Sequence, residues 1–308
     1  MAADNVRTAV VFPGQGTQRP GMGLAWRGHP AWQVVEEAEA LIGEPLGRLL
    51  TDADEATLRR TREAQLAILL TSLVAWRAVR DHLDLDRPVA FAGHSLGQVT
   101  ALIAAGVLDL RTGIEFAARR ATATQSAADA HPGRMAALLG ADLEQAEAAC
   151  SAVEGCWIAN DNAPGQVVIA GTPHGVEAGS EAAREAGVRR ISTLNVGGAF
   201  HTPLMEEAVA ELEHHLTGVA MADAVTPIIA NDDAAPATAA DLWRHRSAAH
   251  VARRVRWRET QVVLADLGAE RFVEVGAGSM LAALAKRTVP GVTIINVAEP
   301  ADLATAES

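Results

Sequence analysis

Ser95 lies in Gly93-His-Ser-Leu-Gly97, a G-x-S-x-G pattern that is typical of a nucleophilic serine on a sharp turn from a strand into a helix. The apolar run 88–92 precedes the pattern and the helix-like run 98–105 follows it, so the sequence predicts both flanking elements. Such a turn exposes the hydroxyl beside the backbone N–H groups of a helix start. An ordinary N-cap is the alternative role for this serine, but its surroundings favour the nucleophile.

A serine hydroxyl needs a base to take its proton, and the chain offers ten histidines. His201 stands out because it follows the glycine-containing run Asn195-Val-Gly-Gly-Ala-Phe200, where a short loop could direct its imidazole toward Ser95. His94 is adjacent to the serine, but neighbouring residues in this kind of turn point in different directions. We therefore predict a packing or polar-network role for His94, and the base role for His201.

The composition excludes several classes of protein. The 308 residues are 49% hydrophobic and 21% charged, which indicates a globular chain with a substantial core. The net charge of −12 argues against nucleic acid as a partner. No apolar run is long enough to cross a bilayer, and the segment Met1–Thr8 lacks a signal-peptide core, so we expect a cytoplasmic protein without membrane contact. Cys150 and Cys156 lack metal-ligand spacing and are predicted to be buried thiols.

Arginines are clustered despite the negative net charge. The clusters are Arg59, Arg60 and Arg62, then Arg189 and Arg190, then Arg253, Arg254, Arg256 and Arg258, and Lys286 is the one lysine in the sequence. Local basic patches on an acidic protein can attract an acidic protein partner. Ordinary solvated charge is the alternative for each cluster, and the sequence does not choose between the clusters.

The order of predicted elements indicates an α/β fold. Strand-like and helix-like runs alternate over the first third, at 8–12, 31–41, 63–83 and the strand before Ser95, which favours a parallel sheet covered by helices. The next segment is predicted to contain strands and helices in βαββαβ order, at 135–139, 143–153, 156–160, 166–170, 176–186 and 188–195. This order is typical of a ferredoxin-like unit.

We therefore predict a hydrolase-like large subdomain with a parallel sheet, residues 1–129 and 199–308, into which a ferredoxin-like small subdomain, residues 130–198, is inserted. The chain returns to the large subdomain next to His201, and a junction of this kind is a common place for a cleft. Beyond it, the sequence predicts a helix at 202–216, a strand at 227–231, a largely helical 251–267, a strand at 271–275 and a helix at 280–286. Gly276-Ala-Gly278 lacks the spacing of a nucleotide-binding loop and is predicted to be a packing turn.

Five motifs occur in order over nearly the whole chain: Val11-Phe-Pro-Gly-Gln-Gly-Thr-Gln18, Gly93-His-Ser-Leu-Gly-Gln98, Asn162-Ala-Pro-Gly-Gln-Val-Val-Ile-Ala-Gly171, Gly198-Ala-Phe-His-Thr-Pro-Leu-Met205 and Glu274-Val-Gly-Ala-Gly278. With these motifs the chain resembles malonyl-CoA:acyl carrier protein transacylases and the acyltransferases of polyketide synthases, including the discrete ones that act in trans. The resemblance implies Ser95 as the acyl-accepting nucleophile and His201 as its base, without a carboxylate as third member.

The resemblance also implies supporting roles. Backbone N–H groups of Gln15 and Leu96 would form the oxyanion hole. A backbone carbonyl would hold the second nitrogen of His201. In the family this carbonyl commonly belongs to a glutamine, whereas this chain has His250 at the matching position, ahead of Val255-Arg-Trp257. A main-chain contact could survive that replacement.

Three further residues are implied to contact the substrate. Arg120 matches the arginine that pairs with the free carboxylate of a malonyl group, although a helix-surface role is the alternative. Its context, Arg120-Ala-Thr-Ala-Thr-Gln125, departs from the usual Arg-Gly-x-x-Met-Gln, so Thr124 could leave a roomier or more polar pocket. Phe200 would crowd an α-branched acyl group and so favours malonyl. Asn162 is expected near the pocket, or is simply a turn residue before Pro164.

The implied activity is a ping-pong acyl transfer. An acyl-CoA donates a malonyl or related group to the serine, and the phosphopantetheine thiol of an acyl carrier protein accepts it. Carrier proteins are generally acidic, and we expect this partner, no bound cofactor or metal, and a monomeric enzyme. Transfer of a non-malonyl group between carrier proteins, hydrolysis of carrier-bound acyl groups, and a carrier-binding scaffold with an inactive site are the alternatives.

Overall fold

The structure is a computed structural model that describes residues 6–83, 85, 87–194 and 196–306. Two predictions fall partly outside these ranges. The expectation about a signal peptide rests in part on residues 1–5, and one predicted strand ends at Asn195. The strands are β1 Thr8–Phe12, β2 Phe91–Gly93, β3 Arg134–Leu139, β4 Cys156–Ala163, β5 Gln166–Gly171, β6 Arg190–Thr193, β7 Ile228–Ile229, β8 Pro236–Ala237, β9 Arg271–Val275 and β10 Thr293–Val297.

The helices pack around two sheets. They are α1 Gln33–Ile42, α2 Gly47–Thr51, α3 Glu55–Leu58, α4 Thr61–Leu83, α5 Gly97–Ala104, α6 Leu110–Ala130, α7 Leu143–Ser151, α8 Pro173–Glu185, α9 Glu206–Leu216, α10 Ala240–Ala249, α11 Trp257–Asp266, α12 Met280–Thr288 and α13 Leu303–Ala306. The central helix α4 buries most of its residues and packs against α1, α5 and α6. Within the described ranges, no helix has both the length and the apolar character that a bilayer crossing requires.

The larger sheet has six strands in the order β10-β9-β1-β2-β7-β8. The first five strands are parallel to their neighbours, as the alternation of strands and helices predicts. The edge strand β8 is antiparallel to β7, because only a short turn joins the two. The sheet is therefore mixed rather than purely parallel, and β1 and β2 lie at its centre.

The smaller sheet has four antiparallel strands in the order β4-β5-β3-β6. Its strands and the helices α7 and α8 follow one another in the βαββαβ order that the sequence predicts. Cys150 and Cys156 are free, buried between α7 and β4, with their Sγ atoms 3.0 Å apart, so the prediction of buried thiols is confirmed.

The prediction of a largely helical 251–267 is wrong for its first part. Residues His250–Ala252 form one 3-10 turn, and the helix begins only at Trp257. Between them the chain is extended, because Val255 donates its N–H to Ala159 and accepts one from Asp161 across an isolated bridge to β4. This pairing uses backbone groups that a continuous helix would need internally.

Candidate active site

Ser95 lies in the sharp turn between β2 and α5, and its backbone has the left-handed φ of +52°. That conformation is rare for a residue with a side chain. The turn is tight because a Cβ on Gly93 would lie 1.9 Å from the backbone of Gly97, and one on Gly97 would lie 2.1 Å from the carbonyl oxygen of Phe12. Only glycine fits at these two positions, so the predicted strand-turn-helix geometry is present.

Asn231, two residues after β7, holds this turn from the side of the neighbouring strand. Its Oδ1 accepts the N–H of Ser95 at 2.8 Å, and its Nδ2 donates to the carbonyl of Gly93 at 2.8 Å. The N–H of Asn231 donates in turn to Gln98 Oε1 at 2.9 Å. Asn231 could not be predicted from the motifs, because it belongs to none of them and becomes a neighbour of the serine only when β7 pairs with β2.

His201 contacts the serine as predicted. Its Nε2 lies 2.8 Å from Ser95 Oγ, and its Nδ1 lies 3.0 Å from the carbonyl oxygens of both His250 and Arg253. Two acceptors at Nδ1 require the proton there, so Nε2 carries the lone pair that faces the serine hydroxyl. The expected His250 carbonyl contact is present, and the Arg253 carbonyl is a second anchor that the resemblance did not imply.

The environment keeps His201 neutral. Burial lowers the pKa of His201 to about 3, and the positive charge of Arg120 acts in the same direction. Burial also lowers the pKa of His94 and of His250. A neutral imidazole at neutral pH is free to accept a proton, which is what a general base requires.

Arg120 extends from α6 to the serine. Its Nη2 lies 3.2 Å from Ser95 Oγ and its Nη1 donates to Gln65 Oε1 at 2.8 Å, while its Nε has no partner. The side chain is 1% exposed, and no carboxylate pairs with it in the part of the chain that the structure describes. Burial lowers the pKa of Arg120 to about 10, so it remains charged at neutral pH. The helix-surface alternative is therefore wrong, and the Gln65 contact could not be predicted from the motifs.

Thr124 does not enlarge the site in the way that its sequence context allowed. Its Oγ1 donates to the carbonyl of Arg120 at 2.8 Å, with the carbonyl of Ala121 at 3.2 Å, and the residue is fully buried within α6. Its hydroxyl is thus engaged by the helix backbone rather than directed at a substrate.

A cavity of about 370 Å³ lies between the two sheets beside the serine. Its wall includes Ser95, His201 and Gln15 on one side and residues of β3, β4 and β5 on the other. Phe200 and Asn162 also line it, as predicted, and Asn162 lies within β4 rather than in a turn. Asn162 Oδ1 is 2.8 Å from His94 Nε2, so His94 has the polar-network role that was expected.

The two N–H groups expected to form an oxyanion hole are available. In the described ranges, neither the N–H of Leu96 nor that of Gln15 has a hydrogen-bond acceptor. Leu96 is the N-cap residue of α5, so its N–H belongs to the positive end of that helix. The candidate donors therefore flank the serine at the junction of β1, β2 and α5.

The family follows from comparison with known proteins. A family model described as an acyl transferase domain matches residues 9–304. The chain belongs to the acyl transferase family. A curated malonyl CoA-acyl carrier protein transacylase of Synechocystis sp. is similar to this acyl transferase, with 36% identity over 97% of this chain and 99% of that protein.

Solved structures agree with this assignment. The malonyl-transacylase PlMCAT, solved in complex with the type II polyketide-synthase acyl-carrier protein AntF, aligns with a TM-score of 0.92 at 34% identity and covers 97% of this chain and 98% of that one. An acyl-carrier-protein S-malonyltransferase of Burkholderia pseudomallei aligns with a TM-score of 0.93 at 34% identity, over 98% and 99% of the two chains. The α/β architecture with its mixed sheet is thus that of malonyltransferase structures.

Proposed function

We propose that this acyl transferase moves a malonyl group from coenzyme A to the phosphopantetheine thiol of an acyl carrier protein, through an acyl ester on Ser95. The observation that carries this proposal is the Arg120 guanidinium, which is buried, charged and without an acidic partner among the described residues, 3.2 Å from Ser95 Oγ. A buried cation without a counterion is costly unless a ligand supplies the anion. The free carboxylate of a malonyl group fits that need and the planar fork of arginine.

The first half-reaction begins at the serine hydroxyl. Ser95 Oγ forms a bond to the thioester carbonyl carbon while its proton passes to Nε2 of His201. The negative charge that develops on the carbonyl oxygen would be stabilised by the N–H groups of Gln15 and Leu96. When the intermediate collapses, the carbon–sulfur bond breaks and the CoA sulfur takes the proton from the imidazolium, which leaves malonyl-Ser95.

The second half-reaction uses the same groups with a different acceptor. The pantetheine thiol of the carrier protein gives its proton to His201, and its sulfur attacks the ester carbonyl. The ester bond to Ser95 Oγ then breaks, and the serine oxygen recovers the proton from His201. Because His201 is neutral again after each half-reaction, one base serves both steps.

The proposal includes the organisation of the chain. Residues 130–198 would form a ferredoxin-like small subdomain and residues 1–129 with 199–308 a hydrolase-like large subdomain. The cavity between the two sheets supports this division, since its wall draws on both. Phe200 in that wall supports an unbranched acyl group, because it leaves less room beside His201.

The experiment measures the mass increment on intact protein after incubation with malonyl-CoA or acetyl-CoA. We expect Arg120→Ala to lower malonyl loading about 100-fold, since a charge-assisted hydrogen bond contributes roughly 1.5–3 kcal/mol, and to lower acetyl loading far less. Arg119→Ala is the matched control, because Arg119 is the exposed neighbour that pairs with Glu211 at 3.6 Å. Ser95→Ala should abolish the increment. Equal losses of malonyl and acetyl loading in the Arg120 variant would refute carboxylate recognition.

A further inference from the structure

The two cysteines of the sequence lie side by side in the part of the fold that is built on the four-stranded sheet. Cys150 is in the last turn of α7, and Cys156 is the first residue of β4. The segment 151–155 that separates them is exposed or partly exposed. Their Sγ atoms are 3.0 Å apart. The sulfurs of a disulfide are about 2.05 Å apart, so a side-chain movement of about 1 Å would bring this pair to bonding distance.

The cysteine pair is on the face of the four-stranded sheet that is opposite to the active-site cavity. Cys156 pairs with Gly171 of β5, and Ile169, two residues earlier on that strand, packs in one apolar cluster with both cysteines. Val168 projects from the other face and lines the cavity that contains Ser95. A reaction of the two sulfurs therefore leaves the acyl-transfer site undisturbed.

Packing limits where the two sulfurs can lie. A Cβ on Gly179 of α8 would be 2.6 Å from Cys156 Sγ, so the backbone of this helix passes directly over the sulfur. Cys150 is 7% exposed and Cys156 is 6% exposed. Such small exposed fractions admit a reagent of about the size of water at the edge of the pair, but not the thiol of another protein.

The two thiols differ in their surroundings. Cys150 lies near the C-terminal, negative end of α7, which disfavours a thiolate there. The S–H that Cys150 donates to Cys156 raises the pKa of Cys150, and burial and the charge of Glu147 act in the same direction. The same hydrogen bond lowers the pKa of Cys156. Cys156 is therefore the sulfur that loses its proton more readily and reacts first with an oxidant.

Paired cysteines can also bind a metal ion, but a structural zinc site takes four ligands. Among the described residues, no group of three or more His, Cys, Asp or Glu side chains is arranged to hold a metal ion. The arrangement therefore favours redox chemistry of the pair over metal binding.

We propose that Cys150 and Cys156 are a redox-active pair that hydrogen peroxide, a small hydroperoxide, oxidises to a disulfide within the chain. The Cys156 thiolate attacks one peroxide oxygen and the O–O bond breaks. The hydroxide that leaves takes up the proton that Cys156 released, which gives water and a sulfenic acid on Cys156. Cys150 Sγ then attacks Cys156 Sγ, the S–O bond breaks, and the leaving hydroxide takes the Cys150 proton as a second water. The two thiols lose two electrons, and the peroxide accepts them.

The experiment treats the folded, full-length chain with hydrogen peroxide, removes the peroxide, and then unfolds the chain in acid before its free thiols are counted with a maleimide. We expect two maleimide adducts before treatment and none after it. The unlabelled protein should lose about 2 Da, the mass of two hydrogen atoms, and dithiothreitol should reverse the change. Peptide mapping without reduction should find Cys150 joined to Cys156.

Variants test the order of the two steps. Cys150→Ser keeps a hydroxyl that can donate to Cys156, whereas Cys150→Ala does not. Both variants should stop at a sulfenic acid on Cys156, which dimedone traps, and the adduct should form several-fold faster in the serine variant because the hydrogen bond favours the thiolate. Cys156→Ala is the matched control and should form less adduct than either, because Cys150 lies at the negative end of a helix.

Several results would overturn the redox pair. They are the addition of oxygen atoms to wild-type protein without a disulfide, a disulfide between two chains, and two maleimide adducts after treatment. A lower melting temperature of the oxidised protein would also overturn it, because a bond that fits the folded state restricts only the unfolded chain. More adduct in Cys156→Ala than in Cys150→Ser would refute Cys156 as the sulfur that reacts first.

Discussion

Replacing Asn231 with alanine tests whether the turn that carries the nucleophile needs a clamp from the neighbouring strand. The change removes the acceptor of the Ser95 N–H and the donor to the Gly93 carbonyl, both at 2.8 Å. Two buried hydrogen bonds contribute about 2 kcal/mol together. That is comparable with the roughly 1–3 kcal/mol that a left-handed φ costs a residue with a side chain.

Without these two hydrogen bonds the left-handed conformation of Ser95 is less stable, and Ser95 Oγ loses its alignment with His201. A loss of about 2 kcal/mol in the transition state corresponds to a roughly 30-fold lower kcat for acyl-serine formation. KM for malonyl-CoA should change little, because both polar atoms of the Asn231 side chain bond the backbone of the turn. Asp233→Ala is the matched control, since Asp233 is exposed on the same turn and pairs with Arg246.

Asn231→Asp separates a positioning role from a general loss of stability. One carboxylate oxygen can still accept the Ser95 N–H, but the other would face the Gly93 carbonyl oxygen and could donate to it only when protonated. Burial raises the pKa of such a carboxyl group, so the rate of acyl-serine formation in this variant should rise as the pH falls from 8 to 5. His201, whose pKa is about 3, remains a base over this range.

The assay is rapid-quench mass spectrometry of acyl-serine formation, with thermal unfolding of each variant alongside. An alanine variant that is folded and keeps the wild-type kcat would refute the clamp. So would an aspartate variant whose pH profile has the same shape as that of the wild type.

Two further predictions concern stability. Acid should destabilise the fold, because burial lowers the pKa of His201 to about 3, so that it stays neutral when folded but binds a proton when unfolded below pH 6.5. This lowers the free energy of unfolding by up to about 1.4 kcal/mol per pH unit below that value, and the lowered pKa values of His94 and His250 act in the same direction. Burial raises the pKa of Glu274 to about 7, so its proton uptake stabilises the fold as the pH falls and offsets the effect of one histidine. Urea unfolding at pH 7 and pH 5.5 measures the sign of the change in the free energy of unfolding. Equal stability at the two pH values would contradict the prediction. Gly97→Ala should lower the melting temperature and abolish acyl-serine formation, because its Cβ would lie 2.1 Å from a β1 carbonyl oxygen; wild-type loading would show that the turn can widen.

Local patterns were sufficient to predict most elements near the site. The G-x-S-x-G run with its apolar and helical flanks predicted β2, the turn and α5, and the βαββαβ order predicted the four-stranded sheet. The Ser95–His201 contact was predicted from residues 106 positions apart, because a glycine-rich return crossing limits where the histidine can lie.

Two other contacts near the site, those of Gln65 and Asn231, could not be predicted from the sequence. Gln65 meets Arg120 only because α4 and α6 pack side by side, and Asn231 meets Ser95 only because β7 pairs with β2. The helical pattern after residue 251 was misleading because Val255 forms a bridge to β4. Periodicity reports which face of a segment is apolar, but not which strand will compete for its backbone hydrogen bonds.

The orientation of His201 by two peptide carbonyls has an electrostatic consequence for Arg120. An aspartate in their place would introduce a full negative charge close to Arg120, and the guanidinium would then form an internal ion pair. Main-chain oxygens align the imidazole as dipoles only, which reserves the cationic group for an incoming anion. They also make the alignment insensitive to the side chain at position 250, so a histidine there can replace the usual glutamine without loss of the contact.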